Sequence, residues 1–315
     1  MPATTIATVK RPHKSLLKLV GEVLDHGGPG YLQFAITNLC NADCGFCGFA
    51  RSKFNPADRK SVILQQARDV IDISVHNHIG YILFVGGEPM VHRDIIPMTR
   101  YTATHGINPM ICTNGALWTN DNIRALADAG LSSVIMSVDA HDIARHETNR
   151  GLQGVCGKIR EANRFFRGAG IPTTASITAS RLIGDYEQLP AFLESLGFRS
   201  CTFSYPLTEL KSSYLSFSDG GLVNFSQEEL IDMFEKIKRL KDRGDFPVQN
   251  PANPSPRCSD TFAANGNASV ASAATSISIS TGISTSTVAT TGKGPCAAST
   301  LLMPPNSSAM AVNAA

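Results

Sequence analysis

YLQFAITNLCNADCGFC, residues 31–47, runs from a β-rich heptapeptide straight into a loop that carries three cysteines. The first seven residues mix aromatic and β-branched side chains with no glycine or proline, which is strand composition. Cys40, Cys44 and Cys47 follow at spacings of four and three, and they are three of only eight cysteines in the 315-residue chain. The others, Cys112, Cys156, Cys201, Cys258 and Cys296, are scattered without a disulfide-like rhythm. Thiolates hold zinc or iron–sulfur clusters, and a closed structural zinc site takes four ligands. No fourth Cys or His stands at a finger-like spacing, because His76 and His78 fall in or after a helical stretch. Three thiolates suit a four-iron cluster that leaves one iron open to an exogenous ligand. A loop rich in Asn, Asp and Gly argues against three inert, buried cysteines.

Outward from this loop, the sequence alternates β-rich runs with helical patterns as far as about residue 245. After 31–37 come YILFV (81–85), NPMICT (108–113), SSVIMSV (132–138), TTASITA (173–179) and CTFSY (201–205). Helical patterns separate them, and Gly106, Gly130, Gly170 and Gly197 stand just past helix ends, where a left-handed cap is wanted. A last helix in SQEELIDMFEKIKRLKDRG opens with Ser226 and Glu229 in capping-box spacing and stops at Gly244. Such alternation predicts parallel strands joined by right-handed crossovers, as an α/β barrel of six units or an open doubly wound sheet. Three segments emerge: residues 1–27 with an amphipathic helix in HKSLLKLVGEVLDHG, a core over 28–248, and a tail over 249–315.

Bulk composition narrows the class. The chain is 43% hydrophobic and 17% charged with a net charge of +2, a balance that argues against a long basic surface for nucleic acid. No apolar run approaches the roughly 18 residues of a membrane span. The N-terminus is basic but lacks the apolar core and cleavage site of a signal peptide. A reducing, cytoplasmic setting is the expectation.

In parallel α/β folds ligands sit at the carboxyl ends of the strands, and the unusual residues fall there. Gly86-Gly87-Glu88-Pro89 follows the second strand, Thr113-Asn114-Gly115 the third, and Ser137-Val138-Asp139 closes the fourth. Ser176 and Thr178 lie on the fifth, and Ser204-Tyr205-Pro206 ends the sixth. GGEP reads either as a tight turn with Pro89 starting a helix, or as glycines that admit a ligand beside a Glu88 carboxylate able to accept from a bound ammonium. Asp139 reads as a helix N-cap or as an acceptor for ribose hydroxyls. Arg150, in HETNRG, is a candidate partner for a carboxylate or an ordinary solvated arginine. His92, His141 and His146 read as surface or capping residues, and Cys112 and Cys201 as small buried hydrophobes.

CNADCGFC resembles the CxxxCxΦC signature of the radical S-adenosylmethionine (SAM) enzymes, with Phe46 in the aromatic slot. GGEP is similar to that family's glycine-rich motif, SVDA to its ribose-side motif and ICTNG to the segment lining the same pocket. The resemblance covers roughly residues 28–245. It implies a partial (β/α)6 TIM-like barrel and a [4Fe-4S] cluster on Cys40, Cys44 and Cys47. It further implies SAM on the fourth iron, contacted by Gly86, Gly87, Glu88, Pro89, Thr113, Asn114, Ser137, Asp139 and Arg150. The open ligand position is then the cosubstrate's. One-electron cleavage of SAM to methionine and a 5′-deoxyadenosyl radical, which takes hydrogen from the substrate, is the implied chemistry. A low-potential donor such as flavodoxin or ferredoxin would supply the electron. The substrate would be a peptide or small metabolite, met in part by Tyr205, Glu209 and Lys211 at the barrel mouth.

From Ala252 onward only Arg257, Asp260 and Lys293 carry charge, and the tail reads as disordered or poorly packed. Back-translated one base out of frame, with the best-fitting synonymous codons, residues 258–296 give a string containing GGYKYF, DWN and YRC. That string resembles the opening of the cysteine-bearing SPASM or twitch extension of many radical SAM enzymes. A single-base insertion or deletion between about residues 250 and 258 would produce this, whereas a genuine low-complexity tail is the alternative. Two rival readings of the whole remain: a catalytically silent iron–sulfur and SAM-binding protein with a damaged C-terminus, and a zinc-binding α/β protein.

Overall fold

A computed structural model describes residues 30–52, 55–204, 221–250, 276–281 and 310–314, with helical positions 17, 20, 21, 24 and 25 before them. Six strands carry the core: β1 (Tyr31–Thr37), β2 (Tyr81–Gly86), β3 (Asn108–Thr113), β4 (Ser133–Val138), β5 (Thr173–Thr178) and β6 (Cys201–Ser204). Each pairs in parallel with the next, so sheet order follows chain order. A doubly wound sheet reverses direction part-way; this one never does, which selects the partial barrel. Parallel neighbours need crossovers, supplied by α1 (Leu64–His76), α2 (Ile95–Thr104), α3 (Asn120–Asp128), α4 (Ile143–Arg150), α5 (Val155–Gly168) and α6 (Leu189–Ser195), with α7 (Gln227–Arg243) after β6. The helix α4 was not anticipated: its HDIARHETNR run is too polar for an apolar stripe to show.

Local signals hold where backbone chemistry is specific. Ser226 and Glu229 form the reciprocal capping box at the start of α7, and Gly244 closes it in the left-handed region. Gly106, Gly130, Gly170 and Gly197 all have positive φ, as expected past helix ends. The first helix is represented by Leu17, Val20 and Leu24, all exposed; the rest of its pattern lies outside the described residues.

Alternate strand residues build two faces. One face, with Leu32, Phe34, Ile36, Ile82, Phe84, Ile111, Val134 and Ile177, packs against Val70, Ile71, Met98, Leu126, Ile159 and Phe166 of the helices. The opposite face carries Ala35, Leu83, Val85 and Met110 on β1–β3 but Ser137, Ser176, Thr178 and Ser204 on β4–β6. In the tail, β7 (Ser276–Thr281) lies parallel to β1 and β8 (Met310–Ala314) antiparallel to β7. The Ser-Ile alternation over 276–280 supplies the period of two that a strand wants. The rest of the tail, and with it the frame-shift reading, falls outside the described residues. Among the described residues no helix is long and apolar enough to cross a membrane.

Phe84 is fully buried, its ring 6.2 Å from Phe34, and stands where the central strands meet the helices. Phe84→Ala is expected to lower unfolding stability by about 3–5 kcal/mol, read as a fall in the urea midpoint at unchanged slope.

Candidate cofactor site

Cysteine-loop geometry begins with how the chain leaves β1. Thr37 and Leu39 turn their carbonyl oxygens onto the end of β2, where they accept the Gly87 and Glu88 N–H groups at 2.8 and 2.7 Å. A Cβ on Gly86 would lie 2.1 Å from the Thr37 oxygen, and one on Gly87 2.2 Å from the Leu39 oxygen. The paired glycines are therefore filled against by the protein's own backbone. They support the cysteine loop rather than leave an opening for a ligand on that side.

Glu88 is likewise committed. Its carboxylate accepts from the Thr113 hydroxyl at 2.7 Å, the Asn114 N–H at 2.7 Å and the Met90 N–H at 3.0 Å. Burial raises its pKa, while these three hydrogen bonds and, more weakly, Arg150 pull the other way. The acid thus locks the ends of β2 and β3 together and caps the 3₁₀ turn begun by Pro89. Asn114 passes the restraint on, donating its amide to Asn41 Oδ1 at 2.6 Å inside the cysteine loop.

A second buried group closes the other side of the loop. Arg150 Nη2 donates to Asp139 Oδ1 at 2.6 Å, with the Asp139 side chain fully buried and Arg150 nearly so. Arg150 is not a solvated arginine, and Asp139 is not a helix N-cap; Asp142 caps α4. Burial alone would lower the Arg150 pKa, but Asp139 together with the nearby Cys44 and Cys40 outweighs it, and the guanidinium stays charged. Burial would also raise the Asp139 pKa; the Arg150 charge, followed by His146, keeps it below the usual carboxylate range. His146 is fully buried, not a surface residue, and its Nδ1 accepts the Asp139 N–H at 3.2 Å. His92 does cap a turn, accepting the Asp94 N–H, though it too is buried.

Between these two supports the loop buries Cys44 with Ala42, Phe46 and Val223 and packs the half-buried Cys40 and Cys47 against the same cluster. Burial pushes the Cys40 thiol up to about 11 and the Cys44 thiol to about 12. Both feel Cys47 and Arg150. Such thiols stay protonated at neutral pH until a metal displaces the proton. Among the described residues no group of three His, Cys, Asp or Glu closes on a single metal ion. The donor set fits an iron–sulfur cluster on chemical grounds: three thiols, an apolar shell and a buried cation beside them. Cys112 does not join the helix-facing core; it hydrogen-bonds Ser137 and is raised to about 11 by burial. Cys201 is buried as expected. Tyr205, Glu209 and Lys211 lie outside the described residues.

Two positions carry more than their sequence signal gave. Asn41 and Asn149 both tie the cysteine loop down, Asn149 by accepting the Gly45 N–H at 3.1 Å. Asparagines in a polar loop and a polar helix carry no periodicity, so only contact reveals them.

Residues 34–186 match the radical SAM superfamily. Over that span the chain carries a radical SAM domain. Members use a [4Fe-4S] cluster with SAM, and the fold here is theirs. Similar relatives of this radical SAM chain include the AdoMet-dependent heme synthase of Oleidesulfovibrio alaskensis, 26% identical over 54% of this chain and 42% of that one. Another is the GTP 3′,8-cyclase of Erythrobacter litoralis, 29% identical over 52% of this chain and 49% of its own. The match spans about half the length of these relatives or less. Among solved structures, Streptococcus suis SuiB resembles it in two forms. With S-adenosylmethionine bound, SuiB gives TM-score 0.53 at 18% identity, over 74% of this chain and 53% of that chain. With precursor peptide SuiA bound, the TM-score is 0.55 at 16% identity, over 74% and 51%. At such identities the likeness is one of fold.

The glycine pair yields a sharp contrast. Gly87→Ala is expected to cost about 3 kcal/mol through backbone overlap, whereas Gly157→Ala, in open space on α5, should stabilise by about 0.5–1 kcal/mol. Denaturant melts of the metal-free chain measure both. His146 gives a pH signature. Burial lowers its pKa from 6.5 to about 4, so between those values the unfolded chain binds the proton that the folded chain refuses. Stability therefore falls as pH drops from 6.5 towards 4, by up to about 3 kcal/mol at ~1.4 kcal/mol per unit. His146→Asn keeps an acceptor near the Asp139 N–H and cannot titrate, so its deficit relative to wild type should shrink over that window in urea melts taken at stepped pH.

Proposed function

We propose that this chain is the core of a radical SAM enzyme acting on a peptide or small metabolite. Cys40, Cys44 and Cys47 would hold the [4Fe-4S] cluster, and SAM would lie across the strand ends bearing Gly86–Pro89, Thr113, Asn114, Ser137, Asp139 and Arg150. Bound there, the pair supplies reductive cleavage of SAM to a 5′-deoxyadenosyl radical that abstracts hydrogen. One observation carries the reading: Cys44 is buried in, and Cys40 and Cys47 pack half-buried against, one apolar cluster flanked by the Glu88 knot and the Asp139–Arg150 pair.

The chain's own residues have distinct tasks in this scheme. Glu88, spent on Thr113, Asn114 and Met90, holds the strand ends rigid, which leaves backbone carbonyls of the motif to meet an amino group. Arg150 places a buried positive charge beside the thiols and would attract a carboxylate. The apolar shell of Phe46, Ala42 and Val223 would keep water from the cluster. Beneath the strand ends the substrate floor is uncharged among the described residues, with Ala35, Leu83, Val85 and Met110 beside Gln33 on β1–β3 and Ser137, Ser176, Thr178 and Ser204 beside Ile135 on β4–β6; Ser176 and Ser204 are linked at 3.2 Å. An uncharged, hydrogen-bonding portion of substrate suits it, and SuiB, a neighbour in fold, was solved with a peptide.

Electron supply by flavodoxin or ferredoxin and a cytoplasmic setting belong to the same proposal. So does the reading of residues 249–315 as a frame-shifted extension, which the gene's nucleotide sequence tests directly.

Anaerobic reconstitution followed by SAM and dithionite is the deciding experiment. 5′-Deoxyadenosine is expected from the wild type and none from a Cys40/Cys44/Cys47→Ala triple variant. Bound iron without product would favour the silent reading, and a colourless zinc protein would overturn the assignment.

A further inference from the structure

Helix α4 ends against the cysteine loop, and its last turn meets that loop twice. The Arg150 carbonyl accepts the Asp43 N–H at 2.8 Å, and Asn149 Oδ1 accepts the Gly45 N–H at 3.1 Å. Packing there is close: a Cβ on Gly45 would lie 3.2 Å from Asn149 Oδ1, and one on Gly151 3.3 Å from the Asp43 Cβ. The other end of the Asn149 amide points to the buried charge pair, donating to Asp139 Oδ2 at 2.8 Å. Asp139 uses its remaining oxygen for Arg150 at 2.6 Å. One planar amide therefore bridges the N–H between Cys44 and Phe46 to the acid that holds Arg150 in place.

We propose that Asn149 is a positioning residue that couples the Asp139–Arg150 pair to the Cys44–Cys47 turn, so that an anion engaging Arg150 is registered at the cluster. The proposal rests on the radical SAM reading. An amide suits the task because it accepts with one end and donates with the other in a fixed plane. Any movement of Asp139 to accommodate a ligand on Arg150 pulls on Nδ2, and the same plane carries the pull to Gly45. The N–H groups and fields around the sulfurs set a cluster's electronic properties. The coupling should therefore appear in the spectrum of the reduced cluster and not only in turnover.

Two variants of the full chain separate the two ends of the amide. At pH 8 Asn149→Asp keeps an acceptor for Gly45 but sets a second carboxylate against Asp139. Asn149→Ala loses both bonds. After anaerobic reconstitution, Asn149→Asp is expected to hold wild-type iron and resist chelation like wild type. It should need at least tenfold more SAM to produce the SAM-dependent change in the electron paramagnetic resonance spectrum. Asn149→Ala should share that weakened response and also lose iron to a chelator about tenfold faster. Circular dichroism and thermal melts of the metal-free chains report whether either variant fails to fold. Wild-type SAM dependence in both variants, or equal iron loss from Asn149→Asp and Asn149→Ala, overturns the proposal. A wild-type chain that binds iron but shows no spectral response to SAM overturns instead the reading on which it rests.

Discussion

The backbone contact between the start of the cysteine loop and the end of β2 is the constraint on which the site depends. Thr37 and Leu39 approach Gly86 and Gly87 so closely that no side chain fits between them. The loop therefore leaves β1 flush against its neighbour, and the three thiols fall above the strand ends instead of splaying into solvent. The same contact aims the Glu88 N–H at Leu39 and leaves the Glu88 carboxylate to gather β3. One steric requirement thus sets loop path, strand spacing and the orientation of a buried acid.

Charge arrangement follows from that placement. Glu88 and Asp139 are both buried, and each is made tolerable differently. Glu88 accepts three neutral donors and its pKa rises; Asp139 takes a guanidinium and a side-chain amide and its pKa falls. An unpaired charge at such depth is costly, and breaking a buried pair usually costs more than the pair contributes. The structure places the cation, Arg150, next to thiols that become anionic only with metal. Its charge is already balanced by Asp139.

Legibility in the sequence tracked how local each cause is. Six strands, most crossover helices, the capping box at Ser226 and Glu229 and the left-handed glycines were readable, because alternation, capping and positive φ act over a few residues. The cysteine spacing was readable because ligand sets require it. The helix α4 was missed for want of an apolar stripe, and with it Asn149. The meaning of GGEP was half visible: glycines there signal close approach, yet the approaching partner is the chain itself. His146 read as a surface or capping residue and Arg150 was left open between a carboxylate partner and a solvated arginine, because nothing local to HETNRG tells that Asp139 lies beneath them.

The sequence by itself carried the radical SAM motifs and the three clustered cysteines, since motif spacing is a property of adjacent residues. It determined that strands and helices alternate, but not whether they wind one way or two. Only the tertiary structure decided on a singly wound, open barrel, and which face of each strand packs under helices. It also decided which polar residues are already paired inside the site. Those facts depend on residues far apart in the chain meeting in space: Asn41 with Asn114, Asn149 with Gly45, Glu88 with Thr113. Pairing across that distance is fixed by packing of the whole sheet, and no short stretch of sequence carries it.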